Sequence, residues 1–133
     1  MRTVTAERLV LDASAALRFL LDQEGADQVA DRLEEAGQVL APAFQMVEVA
    51  NVLWKVARSG ALTAAEAWEH LEALADLVDE AVDDRELLAD SLALAIELQH
   101  PVYDCLYLAL ARRLDAGLIS FDRRLLNLFE TMG

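Results

Sequence analysis

The sequence predicts an α/β fold, a parallel sheet of four to five short strands with helices on both faces. Two observations carry this expectation. Short apolar runs of β character alternate with longer stretches of helical periodicity, the order that builds parallel sheets through helical crossovers. The chain also contains no internal repeat, low-complexity segment or linker. Its 133 residues are therefore expected to form one domain spanning 1–133, large enough to bury a sizeable core.

The first strand is Arg8–Leu11 (RLVL), stopped by Asp12-Ala-Ser. A helix follows from Ser14 to about Leu21, with Ala16, Leu17, Leu20 and Leu21 at helical spacing. Gly25 breaks it, and Ala26, Val29, Ala30 and Leu33 mark a second helix ending near Gly37. Val39–Ala41 is the next strand, and Pro42 after it tolerates a helix start. The third helix carries an apolar stripe of Met46, Val49, Ala50, Leu53, Val56 and Ala57, with Glu48, Asn51, Lys55 and Arg58 on the opposite side. Ser59-Gly60 ends it. Thr63 and Glu66 then form a capping-box pattern that opens a fourth helix. There Ala64, Ala67, Trp68, Leu71, Leu74, Ala75 and Val78 are expected to face inward. Ala81-Val82 makes a short third strand, and Asp83 and Asp84 are caps for a fifth helix over about Leu87–Gln99. A sixth helix, Tyr103–Leu114, is apolar nearly all round and is therefore expected at the centre, with Arg112 and Arg113 suiting its C-terminal dipole. Gly117, a strand over Leu118–Ser120 and a last helix from Asp122 through Phe129 complete the pattern.

Composition excludes several classes of protein. With 56% hydrophobic residues the chain is not disordered, despite a formal net charge of −13. No apolar run approaches a membrane span, and the first ten residues lack the apolar stretch of a signal peptide, so a cytoplasmic location is expected. A single cysteine, Cys105, excludes an internal disulfide or a multi-thiolate zinc site, and is read as an inert buried thiol. His70 and His100 are too few for a histidine-based metal site and are read as surface residues. Residues 59–100 hold eleven acids against one base, Arg85, which reads as a solvated acidic face. The acidity of the whole chain does not by itself exclude a polyanionic substrate, but argues against a broad nucleic-acid-binding surface, since phosphate contacts need clustered Lys and Arg.

In parallel α/β folds the ligand crevice lies beyond the carboxyl ends of the strands, where strand order reverses. Four carboxylates compete for it. Asp12 follows the first strand, Asp122 follows the last, Asp104 opens the sixth helix, and Glu48 lies in the first half of the third. Singly, each aspartate reads as a helix N-cap and the glutamate as a surface residue. Together, acids gathered within a few ångströms repel one another, and no sequence-adjacent Lys or Arg is an obvious counter-ion. A hard divalent cation, Mg²⁺ or Mn²⁺, is the simplest remedy, and such ions share ligation with phosphate oxygens.

Four segments carry a resemblance. Val10–Leu17 (VLDASAAL), Ala41–Lys55 (APAFQMVEVANVLWK), Val102–Ala111 (VYDCLYLALA) and Ile119–Leu125 (ISFDRRL) resemble, in order and spacing, the four signatures of PIN-domain ribonucleases, most nearly the VapC-like toxins of type II toxin–antitoxin modules. The resemblance implies a three-layer α/β/α sandwich and an Mg²⁺- or Mn²⁺-dependent endoribonuclease. It makes Asp12, Glu48, Asp104 and Asp122 the catalytic, metal-holding quartet. Ser14, Ser120 (where the family often has Thr) and Asn51 become supporting residues. It further implies an RNA substrate, a cognate VapB-like antitoxin and a homodimer. The family's final edge strand is expected to be missing or very short here.

Arg18, Lys55, Arg58, Arg112, Arg123 and Arg124 are candidates for phosphate contacts, with ordinary solubilising charge an equal reading. Tyr103 and Tyr107 could stack on a base, though core packing is favoured. Two rival classes lack their residues. A haloacid-dehalogenase-type phosphatase needs an acid where Ser14 stands, and a phospho-receiver needs an acidic pair where Asp12 stands alone. A non-toxin PIN nuclease in RNA processing and a catalytically silent PIN-fold interaction module remain as alternatives.

Overall fold

The computed structural model describes residues 7–132. Its four strands are β1 (Arg8–Leu11), β2 (Gln38–Pro42), β3 (Glu80–Val82) and β4 (Gly117–Ile119). They form one sheet in the order β3-β2-β1-β4, with every pairing parallel. Successive strands therefore step outward from β1 on one side until the chain returns to place β4 on the other. The reversal lies between β1 and β4. Among the described residues there is no fifth strand.

Strand alternation sorts the core into two layers. Leu9, Leu11, Val39 and Ile119 pack on one face with α1 (Ala13–Leu20), α2 (Ala26–Glu35), α3 (Phe44–Arg58) and α4 (Ala64–Leu77). Val10, Leu40, Val82 and Leu118 pack on the other with α5 (Asp84–Leu98), α6 (Val102–Arg113) and α7 (Arg123–Met132). This is the α/β/α sandwich. The expectation for α6 holds, since Cys105 through Ala111 are all buried and the helix packs on β1, β2 and β4. No described helix is long and apolar enough to cross a membrane.

The differences from expectation sit mostly at helix starts. α5 begins at Asp84 rather than Leu87, because the Asp83 carboxylate accepts from Arg85 N at 2.9 Å and nucleates a polar first turn with no apolar periodicity. α3 begins at Phe44, before its apolar stripe, and its capping acceptor comes from another helix, Asp84 Oδ1 at 3.1 Å from Phe44 N. The Thr63–Glu66 capping box forms in both directions, at 3.1 and 2.9 Å. α7 runs on to Met132, three residues past the expected end.

The inward face read for α4 needs correction. Only Leu74 is buried, while Ala64, Trp68 and Ala75 are exposed. The helix is anchored mainly to α3 and α1, and much of its apolar stripe has no layer above it. Trp54 and Trp68 wall an open apolar groove between α3 and α4, and Arg58 lies 4.9 Å over the Trp54 ring. On α5, Leu88, Leu92 and Ile96 form a second exposed stripe, at four-residue spacing.

Among the described residues two glycines adopt positive φ, Gly25 at 93° and Gly60 at 90°. A Cβ on Gly25 would stand 2.6 Å from the Phe121 ring, whereas one on Gly60 would meet nothing within 4 Å. Gly60→Ala should therefore cost only the left-handed backbone penalty of about 1–2 kcal/mol. Gly25→Ala adds overpacking and should cost about 3 kcal/mol or more. Urea denaturation of the two variants checks the order.

Candidate active site

Asp12 is the hub of the carboxyl edge. It leaves β1, caps α1, and is 4% exposed. Its Oδ1 accepts from Ala15 N at 2.8 Å, and Ser14 Oγ donates across both oxygens at 2.8 and 3.0 Å. Ser120, at the end of β4, donates its hydroxyl to Oδ2. Each serine also accepts from the chain that follows β4, Ser14 from Phe121 N and Ser120 from Asp122 N, both at 2.9 Å. A hydroxyl has one proton, and both are directed at Asp12. The Ser14–Ser120 oxygen contact of 3.3 Å is therefore proximity within one network rather than a further bond. Burial pushes the Asp12 carboxyl above its ordinary value of 3.8; the hydrogen bonds from Ser120, Ala15 and Ser14 oppose this and the charge of Asp122 adds to it.

Glu48 reaches the same edge from α3. The helix is tied to β1 by Gln45, 1% exposed, whose Nε2 donates to Leu11 O at 2.6 Å. That bond fixes the turn of α3 immediately before Glu48 against the residue immediately before Asp12. Tyr107, buried on α6, donates its hydroxyl to Glu48 Oε1 at 2.6 Å. Burial pushes the Glu48 carboxyl above its ordinary value of 4.5; the Tyr107 bond opposes this, and the charges of Asp104, Asp12 and Asp84 reinforce it. Burial, then the Glu48 charge, holds the Tyr107 phenol far above its usual range, so it keeps its proton and acts as a donor.

Asp104 is the third residue of α6, not its N-cap, which is Pro101. Its Oδ2 lies 2.8 Å from His100 Nε2. His100 is only 7% exposed, so the surface placement expected for it is wrong. Its Nδ1 is buried without a partner among the described residues. A proton there would be a stranded donor, costing about 1–3 kcal/mol, so the ring carries its hydrogen on Nε2 and donates it to Asp104. Asp122 caps α7, its Oδ1 accepting from Arg124 N and Leu125 N at 3.0 and 3.2 Å.

The four carboxylates thus share one edge and feel one another's charge, but each is turned to its own donors. They stand less tightly than expected. Among the described residues no three His, Cys, Asp or Glu side chains are gathered closely enough to hold one ion as they stand. The reason is that like charges keep apart, while serines, a tyrosine, a histidine and helix amides draw the carboxylates in different directions. Glu48 Oε2, Asp104 Oδ1 and Asp122 Oδ2 accept nothing from the described residues, and no Lys or Arg there forms an ion pair with any of the four. Oxygen donors without a basic counter-ion are the donor set that suits a hard divalent cation.

The supporting residues divide. Ser14 and Ser120 are part of the network, while Asn51 is exposed and bonds to none of the four carboxylates. The sequence alone gives Tyr107 and His100 no such role. Each donates to a carboxylate, Tyr107 across 59 residues and His100 across four. The candidate phosphate contacts also divide. Arg112 stands at the far end of α6, about 12 Å along the axis from Asp104, and Lys55 and Arg58 are similarly remote from Glu48 on α3. Arg18 stacks 4.5 Å over Phe121 and bonds to Glu24 O, and Arg124 bonds to Gln99 O. Tyr103 is exposed and tilted against Phe44, Cys105 is buried as expected, and His70 is half-buried.

Comparison with known proteins gives three findings. The PIN domain family pattern matches residues 9–129. Ribonuclease VapC3 of Pyrobaculum aerophilum is 34% identical over 132 residues, covering 94% of this chain and 97% of that protein. The crystal structure of PAE2754 from Pyrobaculum aerophilum superposes with a TM-score of 0.73 at 26% identity, covering 96% of this chain and 87% of the other.

Two outcomes follow from the network. Ser120→Ala removes a donor to Asp12 and strands Asp122 N, and should cost about 2 kcal/mol in chemical denaturation, with Ser120→Thr close to wild type. The pH dependence has a definite sign. Because Asp12 and Glu48 have raised values in the fold, these two groups hold more protons in the folded chain than in the unfolded one as they titrate. Their contribution is favourable in acid and is lost as pH rises through the raised values. In metal-free buffer, the stability of wild type relative to Asp12→Asn should therefore increase on moving from neutrality toward about pH 5, measured by thermal melts of both proteins.

Proposed function

The chain belongs to the PIN domain family, and from that premise we propose that it is a divalent-metal-dependent endoribonuclease, the toxin of a type II toxin–antitoxin module. Support comes from the full-length similarity to a VapC ribonuclease together with the site. The observation that carries the reading is that Asp12, Glu48, Asp104 and Asp122 are brought to one sheet edge with no Lys or Arg paired to them among the described residues, where Asp12 and Glu48 are pushed toward protonation. Carboxylates in that condition gain most from a cation.

Asp12, Asp104, Asp122 and Glu48 are the residues that would hold Mg²⁺ or Mn²⁺. When bound, a divalent ion supplies Lewis acidity, which lowers the pKa of water and offsets charge that builds on a phosphate. The protein's own share is orientation. Ser14 and Ser120 hold Asp12 by hydrogen bonds to both its oxygens, Tyr107 holds one oxygen of Glu48, and the first turn of α7 holds one oxygen of Asp122. The oxygens left over are fixed in direction before any substrate arrives, so less ordering remains to be done at the moment of reaction. Attack of water on the RNA phosphate, in line with the departing 3′ oxygen, leaves a 5′-phosphate and a 3′-hydroxyl.

The same reading assigns the partners. A VapB-like antitoxin would silence the site through its C-terminal segment, and an arginine is the fitting side chain because a guanidinium pairs with carboxylates bidentately. The protein would act in the cytoplasm as a homodimer of single-domain chains.

The deciding experiment is cleavage of an end-labelled RNA with Mg²⁺ or Mn²⁺, with product ends identified. We expect 5′-phosphate and 3′-hydroxyl ends, loss of cleavage with EDTA, and at least about a hundredfold loss in a folded Asp104→Asn variant. Products ending in 2′,3′-cyclic phosphate, or activity indifferent to EDTA, would overturn the mechanism.

A further inference from the structure

We infer that His100 is a positioning residue for the cation site, holding Asp104 by one oxygen so that the other stays available to the ion. The inference rests on the metal-dependent reading above and adds a residue to it.

His100 sits at the joint between α5 and α6, after Gln99 in a left-handed conformation (φ 54°) and before Pro101, the N-cap of α6. Its backbone N–H is spent on Ala95 O at 3.2 Å, and its carbonyl faces the Cys105 thiol. The ring is enclosed, and Nδ1 finds no partner among the described residues. An apolar side chain of similar size would fill the same space and strand no nitrogen. What the imidazole adds is the single bond from Nε2 to Asp104 Oδ2 at 2.8 Å.

That bond matters because Asp104 has no other. Asp12 is held by two serines and a helix amide, and Asp122 by two helix amides, whereas no second donor among the described residues touches Asp104. Without His100, the carboxylate is free to turn about its side-chain torsions, and the cost of ordering it falls on the ion. Because the ring donates from a joint pinned at its own backbone, the orientation is inherited from the packing of α5 on α6. The ring is not itself a ligand in this arrangement, since Nε2 carries the donated proton and Nδ1 is closed off.

The test is Mn²⁺ binding to the full chain without RNA, read from the electron paramagnetic resonance of free Mn²⁺. It compares wild type with His100→Leu, which fills the space without a donor, and His100→Gln, whose amide can donate to Asp104. We expect the Leu variant to lose about tenfold to a hundredfold in Mn²⁺ affinity and the Gln variant to stay within about threefold of wild type. Cleavage by the Leu variant should recover at saturating Mn²⁺. A purely structural joint would instead lower the melting temperature of both variants and leave the Mn²⁺ affinity of both unchanged, which overturns the inference. Wild type that fails to bind Mn²⁺ overturns the metal reading and this inference together. Should the Leu variant not fold, the imidazole ¹⁵N spectrum of wild type decides: a His100 Nε2 resonance that moves with Mg²⁺ and saturates supports the role, and one that stays still overturns it.

Discussion

The carboxylate of Asp12 is the point on which the architecture turns. It follows β1, caps the first helix, and accepts hydrogen bonds from the hydroxyls of Ser14 beside it and of Ser120, 108 residues away. Those serines in turn accept the amides of Phe121 and Asp122, so the chain leaving β4 is threaded through the same network. A buried anion satisfied by several donors is tolerable where a bare one is not. The β1–β4 reversal, the first helix and the approach to Asp122 are consequently one hydrogen-bonded unit. Disturbing any donor is felt at the strand junction and at the carboxylate alike.

Of the remaining acids, Asp122 is held by two amides of the helix it caps, Asp104 by His100 four residues before it, and Glu48 by a donor from the opposite layer. Glu48 comes from one face of the sheet and Tyr107 from the other, and their bond crosses the edge that separates the two cores. Gln45 does similar work in the backbone, tying α3 to Leu11 O. Helix amides and neighbouring side chains thus orient Asp12, Asp104 and Asp122, while Glu48 is oriented by a contact between layers. This explains how the side chains can feel one another's charge without collapsing into a closed cluster.

The outline of the fold was legible because it rests on local signals. RLVL followed by Asp, the Thr63–Glu66 box, and an apolar helix flanked by Asp104 and Arg112 are visible in a few consecutive residues. Asp12 and Asp122 were found because strand ends are predictable, and both also serve as the helix caps their type suggests. Other features depend on a partner distant in sequence. The start of α3 is capped by Asp84, and no pattern near Phe44 announces that. Tyr107 looked like core and is core, yet its hydroxyl finds Glu48. His100 reads in the sequence as a surface residue, but is buried. The one signal that could have found it is its four-residue distance from Asp104. α4 misled in the opposite direction, because an apolar stripe states what can be buried and not whether a neighbour exists to bury it.

The strand order has a consequence for the time before the protein is finished. β1 is made first and lies in the middle of the sheet, but its neighbour β4 is made after every other strand. A nascent chain that has not yet released β4 and Asp122 from the ribosome lacks Ser120's proton for Asp12 and one of the four acids. The carboxyl edge is therefore complete only once the last strand and the start of the last helix have emerged, so any chemistry that needs all four acids is confined to the nearly finished chain.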